Sequence, residues 1–362
     1  MNAEKTNEEE NYSPQDEFQI CGLPQVPERE LEGFIDPYRL SLIRYNEKKW
    51  VNGTVLHYHF PETNLEWVGP EEQKQVVRDS FQYWKDLGLG LKFQEVDDPS
   101  DAEIRIGFAR GGSWSYVGRD CIDFASDPAQ RTMNFGWDLT TPYGRDTALH
   151  EIGHALGFPH EHQNPKAGIV WNEEAVYDYF GGPPNNWPRD QTFYNVIRKI
   201  SPADIEGSSW DRDSIMHYRF RAGLIQTPSE YQTNPLIPED GLSQVDIDEA
   251  IKFYPGQDEP GFPELKPFES QLIDVEPSEQ LDFVIKPSRT KNYVIQTFGD
   301  ADTVMVLFED YKGEPTYVDG DDDSGYQYNS QLNVRMMKGR TYFLRIRLYY
   351  STHSGYGAVM MW

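Results

Sequence analysis

Residues 150–160 run His-Glu-Ile-Gly-His-Ala-Leu-Gly-Phe-Pro-His. His150 and His154 are four apart, so on a helix they lie one turn apart on one face. Two imidazoles placed that way can reach one cation. Gly157 can take a positive φ without a Cβ clash, end the helix and turn the chain back. Three residues later His160 can then return as a third ligand. Three neutral nitrogens suit Zn²⁺ and leave one position open, the mark of a catalytic rather than a closed structural site. Glu151 follows His150 directly. It can lie beside a water on that metal without ligating it, and so serve as a general base.

Downstream, Ser214-Ile-Met-His-Tyr218 forms a second pattern. It resembles the Met-turn of the metzincins, in which a methionine packs beneath a three-histidine zinc site. With a tyrosine two residues after Met216, it is similar in particular to the astacin family. Phe158-Pro-His-Glu161 resembles the same family's continuation of the histidine motif. The family's following Arg and Asp are replaced by Gln163-Asn164-Pro165, which suggests a divergent, microbial-type branch.

The resemblance covers roughly residues 46–257. It implies an α+β, metzincin-type catalytic domain with a twisted mixed sheet and a zinc-binding helix. It also implies one catalytic Zn²⁺ on His150, His154 and His160. Tyr218 would be an extra, displaceable ligand that swings to stabilise the oxyanion. Glu161 matches a residue that in mature astacins pairs with the cleaved N-terminal amine. With chain extending upstream, a polar supporting role is expected instead. His162 and His217 are expected not to ligate, since the set is complete without them.

The activity so implied is that of a zinc endopeptidase acting on protein or peptide. Two other readings stay open: a silent peptidase-like binding protein, and a zinc hydrolase of a non-peptide amide. The formal net charge of −27 disfavours nucleic acid and anionic membranes as partners. No apolar run approaches the ~20 residues that span a bilayer. The N-terminus shows no apolar signal region, so a removed signal, retention inside the cell and export without a classical signal all stay open.

The elements that must position these residues follow from periodicity. A strand is expected at 54–60, and a helix over 71–87 with Val77, Phe81 and Trp84 inward. Strands are expected at 91–96 and 102–108. A further strand at 130–137 is expected to edge the cleft and pair with extended substrate, as the metzincin resemblance implies. The zinc helix spans 146–156. Ser243 caps a helix over 243–254, with Asp246 bringing an anion to its positive end. Residues 1–45 are acidic and without period, an extended or pro-like segment.

Residues 255–263 are a linker by composition. Strands at 281–285, 293–298, 303–308 and 341–348 predict an all-β sandwich over 264–362. This part is similar to the pre-peptidase C-terminal domain of many secreted microbial peptidases. Asp319, Asp321, Asp322 and Asp323 form either a solvated turn or an oxygen-rich Ca²⁺ site. The two cysteines, Cys21 and Cys121, leave three options. They form one disulfide, or both are free, or Cys21 blocks zinc. The last rests on Cys21-Gly-Leu-Pro24, which resembles the Cys-Gly-x-Pro stretch of matrix-metalloprotease prodomains.

Overall fold

A computed structural model describes residues 18–27, 48–50, 52–62, 64–200, 209–256, 262–277, 279–311, 314–350 and 352–362. The first part mixes helix and sheet. Strands β1 (Val55–His59), β2 (Lys92–Glu95), β3 (Ile104–Gly107), β4 (Trp114–Ser115) and β5 (Met133–Asn134) form one sheet in the order β2-β1-β3-β5-β4. The pairs β1–β2, β1–β3 and β3–β5 are parallel, while β4 runs antiparallel to β5.

Two long helices pack on one another against this sheet. Helix α1 (Glu71–Asp86) buries Val77, Phe81 and Trp84, the face its spacing predicts. Helix α2 (Pro142–Ala155) starts at Thr141, whose side chain accepts from Gly144 N, with proline at its first position. Its buried residues run unbroken from Thr147 to Ala155, because it lies between the sheet, α1 and the segment around Met216. Leu56, Ile104, Ile106, Met133, Ile152 and Met216 share one core cluster.

A second cluster lies on the other side of α2. It joins Phe18, Ile20 and Cys21 to helix α3 (Glu173–Gly181) and to Tyr218 and Phe220. The strands β6 (Val170–Trp171) and β7 (Ile225–Thr227) pair antiparallel within it. Helix α4 (Gln244–Phe253) begins with the expected Ser243 cap. The side chain of Ser243 accepts from Asp246 N, and Asp246 in return accepts from Ser243 N.

The C-terminal part is all β. Its strands are β8 (Ser270–Val275), β9 (Gln280–Ile285), β10 (Lys291–Gly299), β11 (Thr303–Tyr311), β12 (Glu314–Asp321), β13 (Gln331–Met336), β14 (Tyr342–Leu348) and β15 (Gly355–Met361). They form two antiparallel sheets, β13-β10-β15-β8 and β12-β11-β14-β9. Buried residues of both, among them Tyr293, Ile295, Leu307, Leu344 and Val359, make one cluster. Four of these strands, β8, β12, β13 and β15, are not among those expected, although β13 alternates in sequence and in burial. No helix among the described residues is long and apolar enough to cross a membrane.

One expectation is corrected. The strand in 130–137 is not an edge: β5 is short and sits inside the sheet between β3 and β4. The edge is β4, where Trp114 and Ser115 pair outside Asn134 and Met133. Of the two readings of the acidic run, the turn has the support: among the described residues its aspartates form no group that could hold a metal ion. Asp321 accepts from Ser324 N, Ser324 Oγ and Gln331 N, so its oxygens close the loop after β12.

Candidate metal centre and active site

The three motif histidines meet. Helix α2 carries His150 and His154 on one face, and their rings lie 4.6 Å apart, edge to face. The helix then ends as the glycine demands. Gly157 sits at φ 102°, Gly157 N donates to His154 O and Phe158 N donates to Gly153 O. This is the paired Schellman closure. It swings the chain back so that His160 Nε2 lies 3.1 Å from His154 Nε2.

Backbone carbonyls fix two of the rings. His150 Nδ1 donates to Ile215 O at 2.6 Å, and His154 Nδ1 donates to Phe158 O at 2.7 Å. With Nδ1 protonated, each Nε2 presents a lone pair to the common centre. Burial holds all three imidazoles neutral, His150 lowered to about 4 and the other two well below the usual histidine range. Neutral nitrogens converging at hydrogen-bond distance, two of them with their Nδ1 protons committed to carbonyls, fit a cation between them.

The fourth group at this centre is a sulfur. Cys21 Sγ lies 3.1 Å from His150 Nε2, 3.2 Å from His160 Nε2 and 3.8 Å from His154 Nε2. Among the described residues, Cys21, His150, His154 and His160 are the one group of three or more His, Cys, Asp or Glu whose ligand atoms converge, all within 4.8 Å. Cys121 is elsewhere, free and buried in the core of the first part, so no disulfide joins the two. Burial, and then the charge of Glu151, push the Cys21 thiol well up in the absence of a metal. A cation among the histidines reverses that balance, because a coordinating thiol is deprotonated outright.

Glu151 is fully buried, and its two carboxylate oxygens have no hydrogen-bond partner. Burial raises its pKa well above the carboxylate range, with the Cys21 thiol the one polar group acting against that. Met216 lies directly beneath the helix: a Cβ on Gly153 would come within 2.5 Å of Met216 Sδ. Tyr218 stands beside His160, ring centroids 4.2 Å apart. Its hydroxyl donates to Cys21 O at 2.5 Å and lies 3.5 Å from Sγ. The position facing the three histidines is therefore held by Cys21, with Tyr218 turned to the main chain of the same residue. His162 and His217 lie beside the cluster without joining it. His162 Nε2 bonds Asn195 O, and His217 Nδ1 bonds Tyr218 O.

A family model described as Astacin, a peptidase family, matches residues 42–173, a span holding all three histidines and Glu151. The solved structure of myroilysin aligns with a TM-score of 0.51 at 31% identity, covering 57% of this chain and 96% of that one. The chain belongs to the astacin family. Astacin-like metalloprotease toxin 1 of Loxosceles intermedia is 26% identical over 181 residues, 49% of this chain and 57% of the toxin. Bone morphogenetic protein 1 of Xenopus laevis is 28% identical over 193 residues, 50% of this chain and 24% of that protein. The chain thus spans about half, or less, of these two curated relatives.

The astacin motif explains the histidines but not how the N-terminal segment is held. Residues 18–23 lie in the cleft, and side chains far along the chain bind their backbone. Phe18 N donates to Tyr179 Oη, Ile20 N to Asn185 Oδ1 and Leu23 N to Asn195 Oδ1. Tyr143 donates to Gln19 O. Gly22 N donates to Ser113 O, at the start of the edge strand β4. Sequence reasoning missed the side-chain hooks, because their partners, 124 to 172 residues away, carry no spacing signal. Glu161, one residue past His160, accepts from Asp211 N and Asn164 Nδ2, and burial pushes its carboxyl up to about 7.

Proposed function

We propose that this protein is a zinc-dependent endopeptidase held latent by its own N-terminal segment. The convergence of three neutral Nε2 atoms beside a buried, unpaired Glu151 carries this reading. Zn²⁺, when bound by His150, His154 and His160, supplies Lewis acidity toward the scissile carbonyl and lowers the pKa of a water. Glu151 takes a proton as the peptide bond is attacked and passes it to the leaving amine. Its burial raises its proton affinity, which suits a group that must hold a proton between the two steps. Tyr218 already donates to a peptide carbonyl, that of Cys21. With the segment gone, the same hydroxyl is free to ligate the metal or to stabilise the developing oxyanion.

The segment favours a polypeptide substrate over a small amide. The groups that hold residues 18–23 bind main chain, so they accept an extended peptide of many sequences. A pocket beside Glu151, lined by Trp137, Tyr143, Thr147, Ile215 and Arg219, is shaped to take one substrate side chain. Latency follows from Cys21, because a thiolate on zinc occupies the position a water needs. Residues 46–257 form the catalytic domain in this reading, 1–45 the pro-like segment, and 264–362 an accessory β-sandwich. The protein acts outside the cell.

The test uses the full chain with Cys21→Ser to remove the block. It should carry one zinc, cleave an unfolded protein, and lose that activity to a chelator. Glu151→Gln in the same background should keep the zinc and the fold while turnover falls by about 10²–10⁴. Near-normal turnover in that variant would rule out the role given to Glu151, and undiminished zinc in His154→Ala would rule out the ligand set.

A further inference from the structure

The anion that caps α4 also reaches the metal centre. Asp246 is the third residue of that helix, and its Oδ2 accepts from Ser243 N at 3.0 Å, as a capping residue does. The same oxygen accepts from Ile215 N at 2.7 Å, and Oδ1 accepts from Ser214 Oγ at 2.6 Å. Ser214 Oγ in turn accepts from Met216 N at 3.0 Å. One carboxylate therefore grips three successive residues of the turn beneath the histidines, two directly and one through a hydroxyl. Ile215 O is the acceptor for His150 Nδ1. A helix cap needs only the bond to Ser243. The bonds to Ser214 and Ile215 are surplus to capping and fix the peptide that orients a metal ligand.

We propose that Asp246 is a positioning residue for the metal centre. It locks the Ile215 peptide so that its carbonyl accepts a hydrogen bond from His150 Nδ1, which keeps His150 Nε2 turned to the centre where a metal would bind. This rests on the reading of His150 as a zinc ligand. Groups that orient a metal-bound histidine typically change metal affinity by about 10–100-fold when removed. Asp246 acts one peptide further out, so a loss at the lower end of that range is expected.

Asparagine can keep the arrangement. Its Oδ1 can take Ser243 N and Ile215 N, and its NH₂ can donate to Ser214 Oγ, which can turn its own proton elsewhere. Alanine leaves Ile215 N with no acceptor. Glutamate keeps the charge but carries the carboxylate one methylene too far.

The experiment measures zinc affinity of the full chain by competition with a chromogenic chelator, and the visible absorption of the Co²⁺-loaded protein. Asp246→Ala and Asp246→Glu should each weaken zinc about tenfold and shift the Co²⁺ bands, with Asp246→Asn restoring both to within about threefold of the parent. Ser243→Ala, which removes the cap hydroxyl together with its bond to Asp211 Oδ2 but leaves the Asp246 carboxylate on Ser214 and Ile215, should lower melting temperature and leave zinc affinity and the Co²⁺ spectrum in place. If Asp246→Ala does not fold, Asp246→Glu carries the comparison. Equal zinc affinity in Asp246→Glu, Ser243→Ala and the parent would overturn the proposal and leave Asp246 a helix cap. His150→Ala separates this from failure of the underlying reading. If it retains stoichiometric zinc, the ligand assignment is wrong; if it loses zinc while the Asp246 variants do not, only the positioning role is wrong.

Discussion

At the scale of residues, the proposed latency turns on Cys21. Two rival explanations of the two cysteines differ in what loss of the thiol does. A staple to Cys121 would make Cys21→Ser less stable without changing activity. The sulfur instead sits 3.1 to 3.8 Å from three histidine nitrogens, while Cys121 is buried in another cluster. Serine is a weak zinc ligand at neutral pH, because its hydroxyl keeps its proton. Cys21→Ser should therefore raise peptidase activity of the uncleaved chain at least tenfold, about the smallest change a blocked metal position implies. Initial rates on a quenched fluorogenic peptide, with the N-terminus confirmed intact, check this. Unchanged low activity would mean that the backbone hooks, not the thiol, close the cleft.

At the scale of elements, the end of α2 matters as much as its face. Gly157 lies at φ 102°, and a Cβ there would also come within 3.2 Å of Lys48 O. Forcing an L-residue out of its favoured region costs about 1–2 kcal/mol. The same turn places Phe158 O for His154 and brings His160 back. Gly157→Ala should therefore lower both the melting temperature and zinc affinity, whereas a simple cap defect would lower only the first. Calorimetry of apo and zinc-loaded protein separates the two.

One turn before His150, Asp146 ties α2 to the loop entering α4. It accepts from Gly241 N at 3.0 Å and faces Arg219 at 3.5 Å. Burial outweighs these partners, with the charge of Asp240 adding to it, and raises the Asp146 carboxyl to about 7. An acid whose folded pKa is raised stabilises the fold below its unfolded pKa, and that advantage is lost as pH rises through the folded value. The melting temperature of the parent relative to Asp146→Asn should therefore fall as pH goes from about 4 to 7. A rise instead would mean that the Arg219 pair dominates burial.

Most of this element level was legible in the sequence, because it is periodic. The inward face of α1, the histidine face of α2, the glycine stop and the Ser243 cap all follow from local spacing. The edge strand was not legible. Trp114-Ser115 is two residues long, too short for alternation to register, and the longer 130–137 run drew the assignment instead. Asp246 was half legible. Its capping role is local, but its bonds to Ser214 and Ile215 cross more than thirty positions.

At the scale of the molecule, the main apolar clusters of the first part and of the C-terminal sheets are separate. The first part gathers its sheet, α1, α2, Met216 and Tyr254 into one cluster. The C-terminal sheets gather Leu265, Phe283, Tyr293, Met305 and Met361 into another, with no described residue shared. A unit with its own core can fold alone. Between the parts, the buried Arg119 donates to Pro315 O at 3.5 Å, and the charge of Arg345 acts on Tyr254. Among the described residues, none of the C-terminal part belongs to the histidine cluster or lines the pocket beside Glu151. The chemistry should therefore survive without the C-terminal sheets. A Cys21→Ser chain ending at Gln257 should fold, bind one zinc and cleave a short peptide with kcat/KM within about threefold of the full chain. Rates on a large or insoluble protein should fall further than that if the β part gathers substrate. The outcome that sinks the division is specific: a truncated chain that melts cooperatively and holds zinc, yet leaves the short peptide intact. That result would place the C-terminal sheets inside the catalytic unit, despite their separate core.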